Sequence, residues 1–123
     1  MAFDEKAAER VRRALGRRRG ITDKKMMGAL CFMASDTMCC GVTGAALMVR
    51  VGADGFARAL ARPHVRPLKI GRRVAGGFVL VDPPGYRSAA ALARWIEHGL
   101  AVAQKIRTET ANRPATKRRR RDR

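Results

Sequence analysis

At 123 residues the chain has room for one domain, and its 46% hydrophobic content suffices for a core. Aromatic residues make up only 5%, so that core must rest on Leu, Val, Ile, Met and Cys. No apolar run approaches the ~18 residues of a membrane span. The start "MAFDEKAAER" has no apolar stretch of a secretory signal, which predicts a cytoplasmic, bacterial protein whose odd number of cysteines, three, stay as free thiols.

The elements follow in chain order. Residues 4–15 predict an amphipathic helix, with Asp4 as cap, Ala7, Ala8, Val11 and Leu15 on one face, and Gly16 as stop. From Lys25 the period changes: "MMGALCFMA", the turn-like "SDT" and "MCCGV" predict a hairpin, and "ALMVRV" (46–51) alternates as a third strand. A short helix is expected from Asp54 to before Pro63, and Pro63 and Pro67 hold "PHVRP" extended. A weak strand at 68–70 and a strong one at 77–82 flank the basic turn "GRRVAG". A last helix starts at the cap Ser88 and reaches about residue 107; residues 108–123 predict a disordered basic tail. The expected class is α+β, an antiparallel sheet of about five strands flanked by helices, in the order α-β-β-β-α-β-β-α.

The three cysteines lie within ten residues, which raises metal and redox chemistry. With Ser35 and Asp36 as a two-residue turn, Phe32 faces Cys39 and Cys31 faces Cys40, their Cα atoms roughly 4.5 Å apart. Alternation then turns Cys39 away from Cys40, so three thiols do not converge on an ion, and no Cys-x-x-Cys spacing is present. The expected role is interior filling, with a Cys31–Cys40 redox pair as the outsider.

The blocks "KKMMGALCFM", "MCCGV", "LMVRVG", "ARPHVRP" and "GFVLVDP", in this order and spacing, resemble the N-terminal domain of TfoX/Sxy proteins over about residues 1–106. The resemblance implies an antiparallel sheet flanked by helices and a role in competence and transcription regulation, and it supplies no catalytic residue set. Full-length members carry a second, C-terminal domain; the expectation here is a stand-alone N-terminal domain at residues 1–107.

No nucleophile elbow, phosphate-binding loop or dinucleotide motif is present, and His64 and His98 read as loop and helix-surface residues, so no enzyme, cofactor or metal is expected. Arg50 interrupts an apolar strand; it reads as a solvent-facing or edge arginine or as an ion-pair partner of Asp82. The charge is the strongest functional signal: 27 Lys and Arg against 10 Asp and Glu, a formal net charge of +17. It is concentrated in residues 10–25 (eight basic, one acidic), 58–73 (six basic, none acidic) and 113–123 (seven basic, one acidic). Such clustering predicts a polyanion-facing surface. The candidate nucleic-acid contacts are Arg17, Arg18, Arg19, Lys24, Lys25, Arg72, Arg73, Lys117, Arg118, Arg119, Arg120 and Arg121. Scarce aromatics favour backbone contact with duplex DNA over base stacking, and no helix-turn-helix supports sequence readout. The alternative is a protein-interaction or homodimerisation module, because both faces of the cysteine hairpin look apolar while three helices are available to cover them.

Overall fold

The computed structural model describes residues 3–26 and 28–111. Helix α1 (Glu5–Leu15) leads into β1 (Ile21–Met26), β2 (Ala29–Ala34), β3 (Thr37–Thr43) and β4 (Ala46–Arg50). Helix α2 (Gly52–Leu60), strands β5 (Val65–Ile70) and β6 (Arg73–Val81), a 3-10 turn (Pro83–Tyr86) and α3 (Ala89–Ala111) follow. The six strands form one antiparallel sheet in the order β1-β2-β3-β4-β6-β5. The expected α+β class therefore stands, with six strands rather than about five.

The extra strand is β1. Its residues carry no apolar alternation, and all but Ile21 are exposed, because β1 is an edge. Charged residues on an edge discourage pairing with another chain, and that function erases the apolar pattern by which a strand is recognised. Boundaries also move. Helix α2 begins at Gly52 rather than Asp54. Helix α3 runs to Ala111, past the expected end near residue 107, while the rest of the expected tail lies outside the described residues. The arm formed by β5 and β6 is longer than expected, since Arg73 opens β6 instead of sitting in the turn. Pro67 is accommodated inside β5 because this strand is the other edge and its register shifts between Pro67 and Lys69.

Local chemistry accounts for the helix ends. The Asp4 carboxylate accepts from Lys6 N at 2.8 Å and Ala7 N at 3.4 Å, and Ser88 Oγ accepts from Ala91 N at 3.0 Å. Gly16, at φ 64°, lets the chain leave α1 in a conformation that other residues resist.

All three helices lie on one face of the sheet: α3 crosses β3 and β4, α1 packs beside α3, and α2 covers β6. The core between the layers joins Val11 and Leu15 of α1, Phe32, Val42, Leu47, Val49, Val79 and Val81 of the sheet, Ala59 of α2, and Trp95 and Ile96 of α3. Polar atoms that enter it are satisfied. Tyr86 Oη donates to Ala45 O at 2.5 Å and Trp95 Nε1 donates to Gly85 O at 3.2 Å.

The β2–β3 hairpin differs from the simple register. Met33 pairs with Met38, but a bulge follows, so Phe32 pairs with Cys40 and Cys31 with Gly41. Cys39 is the extra residue of the bulge. The Cys31–Cys40 pairing expected from strict alternation is thus overturned. Cys39 and Cys40 both join the helix-side core with sulfurs 3.8 Å apart, and Cys31 belongs to the opposite face. The thiols are buried, free and embedded in apolar surroundings, as interior filling requires.

Helix α3 crosses the bulge at Gly99. A Cβ added there would stand 2.3 Å from Cys39 O, a backbone atom that cannot swing aside. Gly99→Ala is expected to destabilise the fold by up to about 2 kcal/mol, because overpacking of about 1–3 kcal/mol is offset by a helix-propensity gain of about 1 kcal/mol. Gly76→Ala, where a Cβ meets nothing within 4 Å, serves as the control and should change stability by less than about 0.5 kcal/mol. Urea denaturation of both variants measures the difference.

Candidate nucleic-acid interface

The candidate cations occupy three structural settings. Arg17, Arg18 and Arg19 form the exposed loop between α1 and β1. Lys24 and Lys25 lie on the β1 edge, and Arg72 and Arg73 at the tip of the β5–β6 arm. Lys117 and Arg118 to Arg121 lie outside the described residues.

The first setting is not uniform. Arg18 Nη1 donates to Ala14 O and Leu15 O, each at 3.0 Å, and its Nη2 pairs with Glu97 of α3. Its guanidinium therefore closes the C-terminal end of α1, where a cation meets the negative end of the helix dipole, and ties that end to α3. Arg17 and Arg19 are exposed and belong to no ion pair among the described residues. Arg19 and Arg107 share with Arg18 and Glu97 a cleft of about 370 Å³ between this loop, the β2–β3 turn and α3. Sequence reasoning did not single out Arg107. Its place beside Arg19 depends on α3 passing the loop, a tertiary fact with no local signal.

The second setting divides as well. Lys25 pairs with Leu30, on the helix side, whereas Lys24 pairs with Cys31, on the opposite face. In the third setting, Arg72 and Arg73 flank a turn in which Gly71 takes φ 64°. That turn overhangs the sheet, because β6 pairs with β4 only from Phe78 to Val81 and its first residues pair with β5 alone. A cavity of about 360 Å³ is lined both by Ile70 and Gly71 of the arm and by Met26 and Ala29 of the β1–β2 hairpin. The arm thus leans back over the helix-free face, toward the hairpin that carries Lys24.

Across the described residues, 20 Lys and Arg face nine Asp and Glu up to residue 109. The ion pairs among them are Arg12 with Glu9 and Asp23, Arg18 with Glu97, Arg66 with Asp82, and Lys105 with Asp54. Arg17, Arg19, Lys24, Lys25, Arg72 and Arg73 are all exposed and outside these pairs. Asp82 does not pair with Arg50. It takes a forked contact from Arg66, with Nε 3.1 Å from both carboxylate oxygens and Nη2 3.0 Å from Oδ1. Arg50 sits opposite Phe78 in the ladder, stacks on its ring at 4.5 Å and donates from Nε to Met38 O at 2.5 Å. It is half-buried, so its reading as a solvent-facing arginine is corrected too.

The remaining chemistry is modest. His64, at φ 66°, is a turn residue whose carbonyl accepts from Asp82 N at 2.8 Å. No cluster of three or more His, Cys, Asp and Glu suited to a metal ion occurs among the described residues, and no helix among them is long and apolar enough to cross a membrane. The Cys39 thiol and burial push Cys40 well above the usual thiol range, and burial alone raises Cys31. Burial also raises Tyr86.

A family model described as the TfoX N-terminal domain matches residues 13–103. No curated protein and no solved structure matches the chain.

The raised thiols Cys31 and Cys40 give stability a pH dependence, which Cys39, lowered by its hydrogen bond with Cys40, opposes in part. Unfolding frees the two raised thiols to ionise near their ordinary value of about 8.5, while the folded chain keeps their protons, so the folded state binds more protons above that pH. Stability is complete below about pH 8.5 and falls as pH rises. Cys40→Ala should cost about 1 kcal/mol at neutral pH through lost volume, yet decline less steeply on the alkaline side. Urea midpoints under reducing conditions from about pH 7 to about pH 10 check both parts.

Proposed function

Because the chain belongs to the TfoX N-terminal domain family, we propose that it is a non-catalytic regulatory module that contacts nucleic acid, duplex DNA above all, through backbone phosphates. The family is described after a competence regulator and is not a known enzyme family. The observation that carries the phosphate reading is the excess of exposed cations outside the ion pairs of the described residues. Of these, Arg17, Arg19, Lys24, Lys25, Arg72 and Arg73 fall in the loop, edge and turn settings, while Lys6, Arg13, Arg58, Lys69, Arg87 and Arg94 lie elsewhere. Retaining that much like charge without internal partners is costly to a folded chain, and a polyanion relieves the repulsion. Arginines at a loop and at a hairpin tip reach phosphates without distorting either element, and guanidinium forks suit bidentate contacts.

The same surface argues against base recognition. Phe32, Tyr86 and Trp95 are buried, Phe3 and Phe56 pack partly buried against the core, and Phe78 is stacked beneath Arg50, which leaves no aromatic platform for splayed bases. The helices are spent on the core side of the sheet, so none is presented as a pair for groove reading. Binding of this kind is positional and salt-sensitive, suited to holding a regulator near DNA whose sequence is read by something else. Free thiols fit the reducing cytoplasm in which such a module works.

The test is the salt dependence of binding to a short DNA duplex. The logarithm of affinity should fall linearly with the logarithm of salt, with a slope of about −0.9 per phosphate contacted. Replacing Arg72 and Arg73 together by Ala should reduce the slope by up to about two, equally for unrelated sequences, because both residues contribute only phosphate contacts. Affinity that ignores salt, or that drops for one sequence alone, overturns the reading.

A further inference from the structure

We propose that the helix-free face of the sheet is a docking groove for an acidic amphipathic helix of a partner protein. No helix among the described residues covers this face, yet it carries a second apolar layer: Ala29, Cys31, Ala46, Met48 and Leu80 are only 4–7% exposed. Met33, Met38 and Leu68 pack around them. The overhanging β5–β6 arm forms one wall and the β1–β2 hairpin the other, enclosing the cavity of about 360 Å³. That is roughly the space of two or three aliphatic side chains at protein packing density, the anchors that one helix face inserts into a groove.

Two observations select the occupant. The first is the continuation of apolar surface beyond the cavity. The large hydrophobics exposed among the described residues are Met26 at 37%, Ile70 at 54% and Val74 at 48%. Met26 and Ile70 line the groove, and Met33, packed on the same layer, carries apolar surface beyond it. An apolar patch wider than the cavity fits a macromolecule rather than a small amphiphile that would be sealed within it. The methionine-rich lining, with its soft and adaptable side chains, suits a helix partner.

The second observation is charge. No carboxylate lines the groove, Lys69 does, Lys24 is on the same face, and Arg72 and Arg73 stand at the arm's tip. Asp82, two residues beyond Leu80 on this face, is held by Arg66. A second copy of the chain would bring the same cationic rim against this one, and like charges set face to face oppose association. Strand addition is discouraged by the lysines on the β1 edge. A helix with acidic flanks and an apolar stripe complements both the floor and the rim.

The experiment uses the full chain with methyl-labelled methionines, observed by NMR. The probe is a synthetic peptide of roughly five helical turns, with Leu at i, i+3, i+4 and i+7 positions and Glu elsewhere. It should shift the Met26, Met38 and Met48 methyls and bind at least about tenfold more tightly than the same peptide with Lys for Glu. Ile70→Glu alters an exposed position and should leave thermal unfolding unchanged while weakening the peptide by about tenfold. Lys69→Glu should narrow the preference for the acidic peptide. Failure of the acidic peptide to move the methyls overturns the proposal, as does equal binding of both peptides. Laurate that moves the methyls where the peptide does not would assign the groove to a small amphiphile. A dimer in light scattering that Ile70→Glu disperses would assign it to a second copy. Each of these outcomes leaves the phosphate reading standing, since that reading is judged by salt dependence.

Discussion

The seam between α3 and the bulge of β3 holds the two layers of this protein together. At Cys39 the ladder has one residue too many, and both neighbouring sulfurs, Cys39 and Cys40, turn inward. Over this spot α3 brings a residue without a Cβ, Gly99, so close that a methyl group would strike the Cys39 carbonyl. The bulge therefore shapes the sheet to the helix, and the glycine lets the helix descend onto it. With α3 seated, α1 lies against it, Arg18 of the following loop reaches Glu97, and Trp95 meets the Gly85 carbonyl. A helix held a further ångström away would lose these contacts together, because packing attraction declines steeply with small gaps.

This seam also marks where sequence reasoning stopped. The helices were legible because Asp4, Gly16 and Ser88 are local signals acting within one turn, and the strands at "ALCFMA" and "GFVLV" because buried strands are apolar throughout. The bulge was not legible. Nothing in "MCCGV" distinguishes an extra residue from an ordinary one, since Cys39 and Cys40 suit either face, and the slip moved Cys40 from the face of Cys31 to the helix side. Strand β1 was hidden for the opposite reason: its sequence serves solubility at an edge, so its pattern reports the solvent and not the pairing. The sheet is legible from residues that face inward, the β5 edge only in part, and the β1 edge not at all.

Charge shows the same division. A run such as "RRR" looks like one feature in sequence, but the fold assigns its members separately. Arg18 closes a helix, while its neighbours Arg17 and Arg19 remain exposed and outside ion pairs. Elsewhere Arg10 donates to the carbonyls of Tyr86 and Arg87, Arg62 stacks on Trp95 at 4.6 Å, and Arg66 grips Asp82. These arginines are structural, and nothing in composition separates them from the rest. What the composition did foretell is the remainder, because so few carboxylates cannot engage so many cations. The candidate interface is part of what is left after the fold has taken the cations it uses, since Lys6, Arg13, Arg58 and Arg94 are also exposed and outside the ion pairs of the described residues. That is why the positions could be proposed in groups but not sorted one by one.

The helix-free face depends on a similar economy of size. At its centre, Gly41 leaves room for the ends of Met48 and Met38, whose methyl carbons would lie 2.7 and 3.2 Å from a Cβ placed there. The neighbouring Ala29, Cys31 and Ala46 are small as well, so the methionines lie flat across the strands and cover them. The layer thus buries itself without a helix, and the arm needs only to lean over it. A flat and flexible apolar floor is stable enough to stay folded alone and open enough to accept side chains from outside. Larger residues at Gly41 or Ala46 would lift the methionines and expose their flanks, converting a covered face into an adhesive one. The small residues on β2, β3 and β4 therefore do two things at once: they keep the uncovered side of the sheet quiet, and they preserve the depth of the groove between the arm and the hairpin.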